Sequence, residues 1–161
     1  MEDDMSKPQV GDQAPAFELP DTRENTIGLN DFSGKWVVLY FYPKDDTPGC
    51  TTEAIDFTAF KSQFAEHNAE ILGVSPDKPA SHLKFIEKHE LEVTLLCDPE
   101  HKVMDAYGAW GIKKMYGKEY EGVIRSTFLI DPDGKIAAAW PKVSVKGHAE
   151  AVFAKLRELQ A

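Results

Sequence analysis

The chain has 161 residues, 42% of them hydrophobic and 28% charged, with a formal charge of −9. That length suits one compact core. The acidic balance lacks the basic footprint of a nucleic-acid binder and disfavours anionic membrane surfaces. No apolar run approaches the roughly 20 residues of a membrane helix, and the polar, acidic start from Met1 to Lys7 is neither a signal peptide nor a transit peptide. Two cysteines, Cys50 and Cys97, make neither a disulfide framework nor a zinc site. The five histidines show no metal-ligand spacing, so no metal and no cofactor is expected. A reducing, cytoplasmic compartment is the expected setting.

Residues 1–8 read as a flexible acidic tail ahead of a single domain, 9–161. Ala16 to Pro20 reads as an extended arm, Asp21 to Asn25 as a turn, and Thr26 to Leu29 as the returning arm. Asn30 to Lys35 is a helical turn closed by Gly34. Trp36 to Tyr42 is apolar without alternation, the mark of a strand covered on both faces. From Thr51 to Asn68, Ala54, Phe57, Phe60, Phe64 and Ala65 recur at helical spacing.

Glu70 to Val74 is a second buried strand, followed by a helix carrying Leu83, Phe85 and Ile86. Val93 to Leu96 is a third strand, and Asp98-Pro99-Glu100 opens a helix through Val103, Met104 and Tyr107. Gly108 to Gly122 reads as a long, glycine-punctuated connection. Ser126 to Ile130 is a fourth strand, Asp131-Pro132-Asp133-Gly134 a turn, and Lys135 to Trp140 its hairpin partner. Gly147 to Leu159 closes the chain as an amphipathic helix with Ala151, Val152, Leu156 and Leu159 inward. Alternating strands and helices that end in a hairpin and a helix give a three-layer α/β domain.

One segment carries chemistry. Cys50 lies in Pro43-Lys44-Asp45-Asp46-Thr47-Pro48-Gly49-Cys50-Thr51-Thr52-Glu53, between a buried strand and an amphipathic helix. Strand, Pro/Gly-rich loop, Cys and helix in that order put the thiol in a first helical turn. Free N–H groups and the helix dipole favour a thiolate there, and the thiolate is the nucleophile. A structural cysteine would sit more naturally mid-strand or on an apolar helix face.

The pattern Pro-x-x-x-Thr-x-x-Cys, from Pro43 through Thr47 to Cys50, resembles the active-site motif of the peroxiredoxins. The wider string from Tyr40 to Ala54 resembles their bacterioferritin-comigratory, or Q-type, subgroup. The likeness continues through Gly73-Val74-Ser75, Tyr107 to Gly111, Lys113 to Lys118 and Ile124 to Asp131. It implies a thioredoxin-like three-layer sandwich, a central mixed sheet with flanking helices. It also implies thiol-dependent reduction of hydrogen peroxide and organic hydroperoxides. By the same resemblance Cys50 is the peroxidatic cysteine, Thr47 the hydroxyl that hydrogen-bonds the peroxide, and Arg125 the family arginine. Donors from Thr47, Arg125 and the backbone near Gly49 and Cys50 would meet the charge that grows as O–O breaks. Pro43 would shield the pocket from water. Glu53 would either orient Arg125 or simply favour the first helical turn.

Many Q-type members carry a second cysteine five positions after the first; here that position is Ile55. The remaining thiol is Cys97, at the end of the third strand. A disulfide needs Cα atoms within roughly 7 Å; if the Cys97 strand lies two places away in the sheet, strand spacing alone makes the gap about 10 Å. The expected cycle therefore forms a sulfenic acid at Cys50 and resolves it with an external thiol: thioredoxin, glutaredoxin or a low-molecular-weight thiol. The alternatives are an atypical two-cysteine cycle with Cys97 as resolving thiol, and a redox sensor or interaction protein on the same fold. A monomer or weak homodimer is expected.

Overall fold

The computed structural model describes residues 7–161, and the expected tail over 1–8 lies outside the described residues up to position 6. The central sheet has five strands in the order β5-β4-β3-β8-β9. Strand β3 (Trp36–Phe41) runs parallel to β4 (Ala69–Ser75), which runs parallel to β5 (Thr94–Cys97). On its other side β3 pairs antiparallel with β8 (Ser126–Ile130), and β8 with β9 (Ile136–Trp140). The sheet is mixed, as expected. A short hairpin, β1 (Glu18–Pro20) and β2 (Thr26–Gly28), leads into a 3-10 turn at Leu29–Phe32.

The unbroken apolar run of β3 has its reason in the layers. Val38, Tyr40 and Tyr42 point into one core with Phe57, Phe64, Phe85, Leu129, Val152 and Leu156. Val37, Leu39 and Phe41 point into a second core with Leu72, Val74, Met104, Tyr107 and Phe128. Period-two alternation thus feeds two apolar layers. The first core is roofed by α1 (Pro48–Ala59), α2 (Lys61–Glu66), α3 (Pro79–His89) and α5 (His148–Gln160). The second is closed by α4 (Lys102–Tyr107) and the N-terminal hairpin. Tyr40 stacks on Phe57 with centroids 4.7 Å apart. Truncating either ring to alanine would cost about 3–5 kcal/mol. Gly73 on β4 makes room for that ring, since a Cβ there would stand 2.7 Å from Tyr40 Cζ.

Four expectations are corrected. The helix expected over Thr51 to Asn68 begins earlier, at Pro48, and divides at Phe60 into α1 and α2. Spacings of three between Ala54, Phe57 and Phe60 fall short of the helical period, so the apolar face drifts. The bend at Phe60 returns Phe64 to the core, while Ala65 is exposed. On α3, Leu83 is exposed and His82 is buried in its place beside Phe85. On α5 the inward residues are His148, Ala149, Val152 and Leu156, while Ala151 and Leu159 face water. The expected loop from Gly108 to Gly122 is an antiparallel ribbon, β6 (Trp110–Met115) and β7 (Lys118–Val123). Its turn uses positive φ at Tyr116 and Gly117. Ile112, Tyr116 and Tyr120 are exposed on it, so no buried face imprints an alternating pattern. No helix among the described residues is long and apolar enough to cross a membrane.

Candidate active site

The site forms where the chain leaves β3. Tyr42 still bonds the sheet through its N–H to Val74 O at 3.0 Å. Residues 43–47 then turn away, with Asp46 at φ 58, and α1 begins at Pro48. Pro48 opens a helix well because it has no N–H to leave unpaired. Thr47 occupies the cap position in extended conformation, and its carbonyl accepts Thr51 N–H at 2.8 Å. The first-turn N–H groups of Gly49 and Cys50 therefore have no partner within the helix. They form, with the helix dipole, a ready anion site around the Cys50 sulfur.

The Thr47 hydroxyl donates to Lys44 O at 2.8 Å and makes no side-chain cap to the helix. With the proton committed there, the oxygen keeps its lone pairs for an incoming donor. Pro43 is half-buried beside this loop.

Arg125 arrives from the neighbouring strand. Ser126, the first residue of β8, lies opposite Phe41, so Arg125 stands next to the loop that β3 feeds. Its Nη1 donates to Glu53 Oε1 at 2.6 Å and its Nη2 to Cys50 Sγ at 3.3 Å. One guanidinium thus bridges two α1 residues a turn apart. Glu53 thus accepts a hydrogen bond from Arg125, and it lies beyond the first turn of α1. A Cβ on Gly49 would lie 3.2 Å from Arg125 Nη2, so this glycine lets the guanidinium approach the helix. Cys50 is only 1% exposed, which limits the thiol to small reactants in the resting state.

The electrostatics are tense. Burial pushes the Glu53 carboxyl up to about 7, while Arg125 pulls it down. Burial works against the Arg125 charge, and Glu53 and Cys50 more than restore it. Tyr40, below the site, is pushed well above its ordinary range by burial, then by Glu53 and Cys50. Among the described residues, Tyr40 Oη and Glu53 Oε2 are buried side-chain atoms without a hydrogen-bond partner.

Cys97 is buried at the end of β5. That strand lies two places from β3 in the sheet, the separation on which the spacing argument rests. Ile55, where Q-type relatives often have their second thiol, is 43% exposed.

Sequence reasoning missed a second group beside the loop. Ligand-type atoms of Asp45, Asp77 and His82 lie within 4.8 Å of one another. Both His82 ring nitrogens are already committed to oxygens, Asp45 Oδ2 at 2.8 Å and Leu96 O at 2.9 Å. The sequence offers no distinct signal of it: His82 is a histidine on the helix that carries Phe85 and Ile86.

The AhpC/TSA family profile matches residues 10–139. The protein named "Peroxiredoxin Bcp" from Bacillus subtilis is 50% identical over 151 residues, covering 94% of this chain and 96% of its own. A cysteine-to-serine mutant of PrxQ from Xylella fastidiosa superposes with a TM-score of 0.90 at 37% identity, covering 96% and 98% of the two chains. The bacterioferritin comigratory protein of Xanthomonas campestris, solved in trapped intermediate and ligand complexes that bear on its alkyl peroxide reduction activity, superposes with a TM-score of 0.86. It is 41% identical and covers 90% and 92%.

Proposed function

The chain belongs to the AhpC/TSA family and is a thiol-dependent peroxidase of the Bcp/PrxQ peroxiredoxin subgroup with a thioredoxin-like fold, and on that premise we propose that Cys50 is its peroxidatic cysteine. The observation that carries this assignment is the 3.3 Å bond from Arg125 Nη2 to Cys50 Sγ in the first turn of α1. Guanidinium and helix N-terminus both stabilise the thiolate.

The thiolate attacks the distal oxygen of a hydroperoxide. An S–O bond forms and the O–O bond breaks. The electron pair leaves on the proximal oxygen, which takes a proton and departs as alcohol, or as water from hydrogen peroxide. Thr47 accepts the peroxide O–H, while Arg125 and the N–H groups of Gly49 and Cys50 face the charge that develops. Cys50 becomes a sulfenic acid.

An external thiol then forms a mixed disulfide at Cys50 and expels water. A second thiolate displaces it, giving an external disulfide and restoring Cys50. Thioredoxin, glutaredoxin and low-molecular-weight thiols are the reductant classes for this step. The test is peroxide turnover by Cys50→Ser and Cys97→Ser beside wild type, with each reductant in turn, and dimedone trapping after mild oxidation. Dimedone adduct at Cys50 and a dead Cys50→Ser support the assignment. Full activity in Cys50→Ser refutes it.

A further inference from the structure

The loop that carries Thr47 and leads to Cys50 is held from outside by α3 and by the connection before it. Asp45 is 7% exposed, and three donors converge on its carboxylate. Tyr42 Oη donates to Oδ1 at 2.6 Å, Ser81 Oγ to Oδ2 at 2.7 Å, and His82 Nδ1 to Oδ2 at 2.8 Å. The backbone N–H of Asp45 donates to Asp77 Oδ2 at 2.7 Å. Asp46 sits in the left-handed region at φ 58, which an L residue adopts only against a steric cost. Its carboxylate is gripped by Lys88 at 2.7 Å and His89 at 2.9 Å, both from the end of α3.

His82 is the centre of this arrangement. It is fully buried. One ring nitrogen faces a carboxylate oxygen and the other faces the Leu96 carbonyl, at 2.8 and 2.9 Å. A carbonyl oxygen has no proton to give, so Nε2 must donate. The Asp45 carboxylate already receives two hydroxyl donors, so Nδ1 donates to it as well. A ring that donates from both nitrogens is an imidazolium. The titratable groups facing it are Asp45, Tyr42 and Cys97. Burial alone would lower its pKa, but Asp45 above all, with Cys97 and the Leu96 carbonyl nearby, pushes it up to about 10.

We propose that the buried His82–Asp45 ion pair is a positioning device for the peroxidase reaction, tying α3 and β5 to the catalytic loop so that Thr47 and the α1 N-terminus meet the peroxide. The proposal rests on Cys50 as the peroxidatic thiol. The pair touches neither the sulfur nor Arg125. It acts on the geometry of residues 43–47, which a peroxide transition state needs and a simple alkylation does not. Breaking it by removing one partner leaves an unpaired charge in the interior.

The experiment compares wild type, His82→Gln and Asp45→Asn in two assays on the fully reduced protein. One is the stopped-flow rate of Cys50 oxidation by hydrogen peroxide, and the other is the pH dependence of Cys50 alkylation by iodoacetamide. The expected result is a peroxide rate at least about tenfold lower with the alkylation profile unchanged. A peroxide rate within twofold of wild type overturns the proposal. Equal losses in both assays also overturn it, because the pair would then act on the thiolate itself. Should the variants fail to fold, ¹⁵N spectra of wild-type His82 decide: both ring nitrogens protonated at pH 8 support the ion pair, and a neutral ring there refutes it. This readout is independent of Cys50, so a failure of the Cys50 assignment stays separate and shows in Cys50→Ser.

Discussion

Cys50 and Glu53 stand one turn apart on α1 and bond opposite ends of the same guanidinium, Sγ at 3.3 Å and Oε1 at 2.6 Å. Both side chains therefore draw on one Arg125 charge. Glu53 accepts a hydrogen bond from the arginine, but as an anion it also opposes the thiolate. The partly protonated state that burial gives Glu53 moderates that opposition.

This arrangement has a stability signature. Burial holds Glu53 at about 7 in the folded protein against an ordinary 4.5. The native state keeps a proton there that the unfolded chain releases. Stability from this group is thus fully present below 4.5 and falls by about 3 kcal/mol as pH rises through 7. Glu53→Gln imitates the protonated form. It should match wild type near pH 5 and exceed it at pH 8 by denaturant unfolding. Alkylation of Cys50 at neutral pH should be faster in the same variant, because Arg125 is then shared with no carboxylate. A Glu53→Gln protein less stable than wild type at pH 8 would show that the ion pair is net favourable.

Reactivity should follow the position of the guanidinium. Arg125→Ala should slow peroxide attack by roughly 10²–10³ while the protein stays folded. Arg125→Lys should recover only part of this, since a compact ammonium lacks the planar fork whose two nitrogens reach Glu53 and Cys50 separately. Gly49→Ala is the subtler test. The added methyl suits a helix, so thermal stability should hold or rise. Yet its Cβ would press within 3.2 Å of Arg125 Nη2. The peroxide rate should fall by about three- to tenfold. Stopped-flow rates beside melting temperatures separate the two effects, and unchanged reactivity would mean that Arg125 has room to shift.

Much of this arrangement is legible in the sequence, and the reason is local. The turn that ends β3 and the Pro48 that starts α1 are written in adjacent residues, so Cys50 could be placed in a first helical turn. The strands of the sheet followed from buried apolar runs and a turn at Asp131 to Gly134. Long-range pairings left no such mark. The His82–Asp45 pair joins residues far apart in sequence, and a histidine on a helix looks the same whether it faces water or an aspartate. The β6–β7 ribbon escaped because its exposed side chains impose no period. The division of α1 from α2 at Phe60 depends on how the helix must bend to keep Phe64 on the sheet, a tertiary demand that spacing alone understates.

A second buried histidine gives an opposing pH slope. Burial, then Arg125, pulls His148 down to about 4 from 6.5. Its Nε2 lies 2.8 Å from Thr127 Oγ1, and Phe57 and Trp140 meet it edge-on. The unfolded chain takes a proton that the native site refuses. Stability from His148 is therefore present above 6.5 and is lost by about 3 kcal/mol as pH falls through 4. Between about 4.5 and 6.5 this slope runs against that of Glu53. Unfolding at several pH values should show a nearly flat wild-type profile there. His148→Gln should leave a profile that falls with rising pH, and Glu53→Gln one that rises. Parallel profiles for the two variants would contradict the assignment.

Regeneration gives the last prediction. Cys50 sits in the core beneath α1, and Cys97 ends a strand two places away from β3. We expect neither thiol to reach the other without rearrangement, since two strand spacings exceed the span of a disulfide. An external thiol faces its own obstacle, because Cys50 is 1% exposed. The first turn of α1 must therefore open for the sulfenic acid to be resolved, and the Phe60 break bounds the segment that has to unwind. Oxidised protein should show faster amide exchange across 47–59 than reduced protein, with β3 and β4 unchanged. Cys97→Ser should keep turnover with an external thiol. Peroxide without that thiol should drive Cys50 onward to sulfinic acid, visible by mass. A stoichiometric Cys50–Cys97 disulfide within one chain, with turnover lost in Cys97→Ser, would establish the two-cysteine cycle instead. It would also mean that opening extends beyond α1 to the end of β5, since Cys97 is itself buried.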